Sequence, residues 1–171
     1  MRLESGRWVR VKGQEVQESL KQSGIDPDAT GVVAYTFARD FKRWACVDVV
    51  DQEGYVRRLT LLETDLAPTN VPPRYGYDVW PFDYSDCWTG GMALWDVICE
   101  PAPGTVAYTR TTVWASSEEE ALELTRKDFQ ERGIKQKPLR AVPTLPSCNP
   151  FPPTDNDLAR QWAYGREGWK Y

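Results

Sequence analysis

The chain of 171 residues contains no histidine. That removes the Ser-His-Asp and Cys-His nucleophilic arrangements in their usual form. It also removes the commonest metal ligand and the usual general base near neutral pH. The phosphate-cradling G-x-x-x-x-G-K-[ST] loop, the G-x-G-x-x-G fingerprint, the G-x-S-x-G elbow and the H-E-x-x-H zinc helix are missing as well. These absences favour a binding protein over an enzyme.

Cysteine is sparse. The four residues, Cys46, Cys87, Cys99 and Cys148, form no C-x-x-C, and their spacing fits no zinc pattern. The opening Met1-Arg2-Leu3-Glu4-Ser5-Gly6 lacks the apolar run of an export signal. The expectation is therefore reduced thiols in a cytoplasmic protein, with Cys46 and Cys99 acting as small core hydrophobes. No apolar run is long enough to span a bilayer, so no membrane partner is expected. A basic excess is missing too. The chain has 21 Lys and Arg against 25 Asp and Glu, a net charge of −4. That argues against general DNA coating, which requires many cations to displace counterions. A local basic patch remains compatible with it.

Aromatics, by contrast, are plentiful: eight Trp, eight Tyr and five Phe. Several fall in strand-like runs. Val32-Val33-Ala34-Tyr35-Thr36-Phe37 is β-branched and aromatic. Arg39-Asp40-Phe41-Lys42 breaks it, and Trp44 to Val50 forms a second strand. Asp51-Gln52-Glu53-Gly54 turns the chain into a third strand from Tyr55 to Leu62. Ahead of this meander, Trp8-Val9-Arg10-Val11-Lys12 alternates like a half-buried strand. Gln14–Gln22 has helical spacing, with Val16 and Leu20 four apart and Gly24 as a stop. Asp65-Leu66-Ala67-Pro68 reads as a short closing turn.

Over about residues 6–68 this pattern resembles the SH3-like small-barrel superfamily, which includes KOW and Tudor-type modules. The resemblance rests on Trp8-Val9-Arg10-Val11, Gly31-Val32-Val33, Trp44-Ala45-Cys46-Val47, Gly54 and Leu66-Ala67-Pro68. It matches no single family motif. The helix at 14–22 departs from it, since such barrels carry a loop there. The resemblance implies a module that binds peptides, nucleic acid or modified side chains and rarely carries catalysis.

A linker and an aromatic loop follow. The loop holds Tyr75, Tyr77, Trp80, Phe82, Tyr84 and Trp88, interleaved with Asp78, Asp83 and Asp86. A ββα unit comes next, with strands over Met92–Glu100 and Thr105–Ala115. A helix over Ser117–Arg132 opens on an S-x-x-E capping box and closes at Gly133. Its expected buried stripe is Ala121, Leu122, Thr125 and Phe129. Its expected ion pairs are Glu123–Lys127 and Asp128–Arg132. The prolines between Pro138 and Pro153 suggest an extended arm, with a short helix over Leu158–Tyr164. The aromatic tail is expected to dock rather than remain disordered. The fold class is thus α+β and mostly β. It comprises an SH3-like barrel over 1–70, an aromatic loop and ββα unit over 71–137, and a Pro-rich C-terminal arm over 138–171.

Several groups of residues are candidates for function. Trp8, Tyr35, Phe37, Phe41, Trp44 and Tyr55 form a candidate aromatic face, weighed against burial in the barrel core. Arg39, Lys42, Arg43, Arg57 and Arg58 sit around the two hairpins. They are expected to share one end or edge, either as phosphate contacts or as solvated edge charges. With Trp44, Tyr77, Trp80, Trp88, Trp162 and Trp169 they complete the candidate binding set. Asp78, Asp83, Asp86 and Asp96 are a weaker candidate for carboxylate chemistry or a hard metal. Pro143-Thr144-Leu145-Pro146 has the P-x-x-P form of a partner-domain ligand, but packing along the body is the simpler reading. The leading functional reading is a non-enzymatic adaptor with a protein partner and no cofactor or metal. The alternatives are a nucleic-acid-binding accessory module and a small carboxylate-dependent enzyme.

Overall fold

The computed structural model of the chain describes residues 2–79, 81 and 83–144. Over these residues the protein is mostly β, with two α-helices and two antiparallel sheets. It divides into two compact units. The first is Met1–Trp80 with Pro101–Tyr108. The second is Pro81–Glu100 with Thr109–Tyr171, of which residues up to 144 are described.

In the first unit, strand β1 (Trp8–Val11) alternates exposed and buried residues as its pattern requires. Helix α1 (Gln14–Gln22) follows and buries Leu20. Strands β2 (Gly31–Arg39), β3 (Lys42–Val50) and β4 (Val56–Leu62) form the expected meander. A 3-10 turn at Glu63–Asp65 leads into strand β5 (Leu66–Pro68). The sheet order is β4-β3-β2-β1-β5, all antiparallel. Alternation puts Val33, Ala45, Val47 and Val49 on one face, where they meet Val9, Val11, Leu20, Ile25 and Leu66. Gly31 is needed beside them, because a Cβ there would collide with Val47.

A bulge between Val33 and Tyr35 shifts β2 by one residue. Tyr35 and Phe37 therefore lie on the face away from this core, opposite Cys46 and Trp44. One end of that second face is covered within the unit by residues 101–108. Val106 packs there with Val32, Val50 and Val56. Gly76 fixes the segment, donating its N–H to Val106 O and accepting from Tyr108 N, both at 2.9 Å. The second strand of the ββα unit consequently starts at Thr109 rather than Thr105, because Val106 is buried in the first unit.

The second unit holds β6 (Ala93–Cys99), β7 (Thr109–Ala115), α2 (Glu118–Arg132) and β8 (Pro138–Pro143), in sheet order β7-β6-β8. Every residue of β6 is buried, as befits the central strand. Residues 138–143, expected to begin the extended arm, instead form an edge strand. Proline is tolerated there because the outer side of an edge strand needs no N–H donor. The remainder of that arm lies outside the described residues, as do Cys148, Trp162, Trp169 and the expected helix at 158–164.

Helix α2 forms as its sequence dictates. The Ser117 hydroxyl accepts from Glu120 N, and Gly133 closes the helix at φ 69°. The Glu120 carboxylate reaches back one residue further than a capping box requires, to the amide and hydroxyl of Ser116. These bonds hold its pKa below the usual range. The buried stripe is Ala121, Thr125 and Phe129, and Leu122 is only half-buried. Four-residue spacing carries 121, 125 and 129 inward and leaves Leu122 at the margin. The Asp128–Arg132 pair forms, but Glu123 pairs with Arg126 rather than Lys127.

Asp96 is the buried charge among the described residues of this unit. It lies on the β6 face opposite Trp95, 5% exposed, with Arg110 Nη1 3.1 Å from Oδ2. Burial raises its pKa and the Arg110 charge offsets only part of that rise. A carboxyl that binds its proton more tightly when folded stabilises the fold fully below its unfolded pKa. That contribution is lost as pH rises through the folded value. Above about pH 4, where free aspartate ionises, wild type should lose stability relative to Asp96→Asn in urea titrations. Parallel stability curves for the two proteins would contradict the assignment. The neighbouring Cys99 thiol is pushed up to about 11, chiefly by burial and then by the Asp96 charge, which makes it a poor nucleophile at neutral pH.

Candidate binding face

The uncovered end of the second face of the first sheet carries the candidate site. The pairings Tyr35–Cys46, Phe37–Trp44, Cys46–Thr60 and Asp48–Arg58 place these side chains together. Tyr35 is 47% exposed, and its ring centroid lies 6.3 Å from that of Phe37. The Arg58 guanidinium lies 5.8 Å from the Tyr35 centroid, in range for a cation–π contact. Asp48 holds it there through two parallel bonds, Nε–Oδ1 at 2.8 Å and Nη2–Oδ2 at 3.0 Å. A fork-to-fork pair of this kind fixes orientation as well as charge. Cys46 raises the pKa of the Tyr35 hydroxyl, through a side-chain hydrogen bond first and its charge second. Trp44 is half-buried beside these residues. Its Nε1 is fully buried and has no hydrogen-bond partner among the described residues.

The β2–β3 connection is a two-residue turn in which Asp40 and Phe41 both take positive φ, 53° and 61°. Phe41 projects fully into solvent.

The register separates the five hairpin cations, correcting the expectation that they share one end or edge. Arg39, Lys42 and Arg43 lie at the β2–β3 tip. Arg57 and Arg58 pair with Val49 and Asp48 on β3. Asp48 is five residues from Arg43, or about 17 Å along an extended strand. Alternation also puts Arg43 and Arg57 on the core side and Arg58 on the outer side. Four of the five are matched by carboxylates: Arg39 with Asp40, Arg43 with Glu63, Arg57 with Asp51 and Arg58 with Asp48. Lys42 makes no ion pair among the described residues.

Of the candidate aromatics, Tyr35, Phe37 and Trp44 come together, while Phe41 stands at the tip. Trp8 lies apart, 36% exposed, in an open groove with Gly6, Arg7, Pro68, Thr69 and Asn70. Tyr55 and Tyr77 bridge each other through the backbone, and the Tyr77 ring packs 5.0 Å from Tyr108. Trp88 belongs to the second unit. It donates to Gly91 O and meets Trp95 edge-on at 5.2 Å. Trp80 lies outside the described residues. Of the acidic candidates, Asp78 bonds the next amide, Asp83 bonds Ser85, and Asp96 faces Arg110. No group of three metal-ligating side chains occurs among the described residues.

Sequence reasoning missed the carboxylates that neutralise the arginines. Asp48 and Arg58 are ten residues apart and meet only if the second hairpin has its observed register. The short Asp51–Tyr55 turn was the one signal for that register. No helix among the described residues is long and apolar enough to cross a membrane. The chain matches no family model, no curated protein and no solved structure.

Proposed function

We propose that this protein is a non-enzymatic binding protein. Its first unit is an SH3-like small barrel that holds a protein partner on the Tyr35–Phe37–Trp44–Arg58 face. The barrel reading draws support from the β4-β3-β2-β1-β5 order and from the 3-10 turn before the last strand. One observation carries the binding reading: a half-exposed tyrosine with an arginine stacked on it and clamped by Asp48. Tyr, Trp and Arg dominate interface energetics when they are held rigid and then desolvated. The ion pairs on Arg43, Arg57 and Arg58 weigh against nucleic acid, since a phosphate would have to compete with an internal carboxylate.

The test is affinity capture from host extract by the tagged full chain and by a Tyr35→Ala/Arg58→Ala double variant. Loss of two central anchors costs at least about 2 kcal/mol each. Retained partner proteins should therefore fall by more than about tenfold. The control Leu124→Ala, on an exposed position of α2, should leave them unchanged. An identical protein set on the double variant would remove this face from the reading.

A further inference from the structure

The tip of the β2–β3 hairpin is a second feature, separate from the Tyr35–Arg58 face, and it stands without the function proposed above. Two-residue hairpin turns with both residues at positive φ normally use Asn-Gly or Asp-Gly, because a side chain in that region meets its own backbone. Here Asp40 fits the rule and Phe41, at φ 61°, does not. A bulky residue in this conformation is an outlier. Burial does not compensate for it, since the ring is fully exposed at 110% relative accessibility. Among the described residues, therefore, the ring adds strain and exposed apolar surface and gains nothing in return. Strain that persists without a structural return marks a functional position.

The surroundings define what fits it. Arg39 and Lys42 flank the turn and are exposed, the Arg39 side chain at 77%. Arg39 meets Asp40 only at 3.7 Å with both groups in solvent, a pairing that is easily exchanged. A single ring on a chain of net charge −4 is poorly suited to an anionic lipid surface. A protein pocket suits it better, because one aromatic anchor in a desolvated pocket can dominate an interface. We propose that Phe41 is such an anchor, and that its receptor is a protein with an apolar pocket rimmed by carboxylates facing Arg39 and Lys42.

Two measurements on the full chain test this. Phe41→Asn puts a residue that tolerates positive φ into the turn. Its Tm should be unchanged or higher by about 2–4 °C. A drop of that size would show the ring to be structural and would overturn the proposal. Phe41→Gly provides the same comparison with no side chain. In the second measurement, Phe41 is replaced by the photocrosslinker p-benzoylphenylalanine in the native host, with Leu124 replaced likewise as control. The expected result is a crosslink from position 41 to one protein, mapping by mass spectrometry to an apolar pocket with at least two nearby Asp or Glu. Its yield should fall at least about tenfold with Arg39→Glu and Lys42→Glu together, the loss expected when charges are reversed at an interface rim. Crosslinks no stronger than from position 124, spread over many proteins, or transferred to lipid would overturn it. So would a yield unaffected by the charge reversals.

Discussion

Replacing Trp95 by Ala should destabilise the second unit by about 3–5 kcal/mol, the usual range for removing a buried large aromatic. Trp95 lies at the middle of β6, 3% exposed, and packs with Val97, Ala121, Phe129 and Ala141. Its Nε1 donates to Ala115 O at 2.9 Å, which ties the centre of β6 to the end of β7. Trp88 leans edge-on against it and would lose its support. Truncation therefore leaves a cavity, removes the bond to Ala115 O and strands the Trp88 indole at once. The cost should exceed that of Leu122→Ala, because Leu122 is only half-buried. Urea denaturation followed by tryptophan fluorescence measures both. Similar midpoints for the two variants would contradict the assigned core.

Gly76→Ala should destabilise the first unit by at least about 1–3 kcal/mol, the usual cost of overpacking. The reason is space, since Gly76 is not among the positive-φ glycines. A Cβ at this position would lie 2.6 Å from Gly54 O and 2.8 and 2.9 Å from the two Val50 methyls. The carbonyl cannot withdraw freely, because Gly54 O accepts from Tyr77 N at 2.9 Å. Relief of the clash would also pull on the two bonds that hold residues 106 and 108. Amide exchange at Tyr108, whose N–H donates to Gly76 O, should accelerate along with the loss of stability. Wild-type protection at Tyr108 in the variant would contradict the role given to Gly76.

Much of the first unit was legible because its signals are local. Alternation at 8–11, the spacing of Val16 and Leu20, and the polar breaks at Asp40 and Asp51 each arise within a few residues. The observed elements follow those breaks closely. Helix α2 was legible for the same reason, through Ser117 and Gly133. What stayed hidden depends on distant partners. Val106 looks like part of a strand, but its place is with Val32 and Val50, more than fifty residues earlier. Residues 138–143 look like a polyproline path, and only pairing with β6 makes them a strand. The candidate site shows the same division. Aromatic and basic residues could be found from the sequence. Their grouping could not, because it depends on the bulge at Val33–Tyr35 and on the register that clamps Arg58 with Asp48.

On the function proposed above, a protein partner covers the Tyr35–Arg58 face in the cell. Hydroxyl-radical footprinting of the full chain, in cells and purified, tests it whatever the partner's identity. Tyr35 should be oxidised markedly less in cells than in the purified protein. Tyr75 and Met92, exposed at 48% and 40% elsewhere on the chain, serve as internal references and should change little. Equal oxidation of Tyr35 in both settings, after normalisation to those references, would contradict the account.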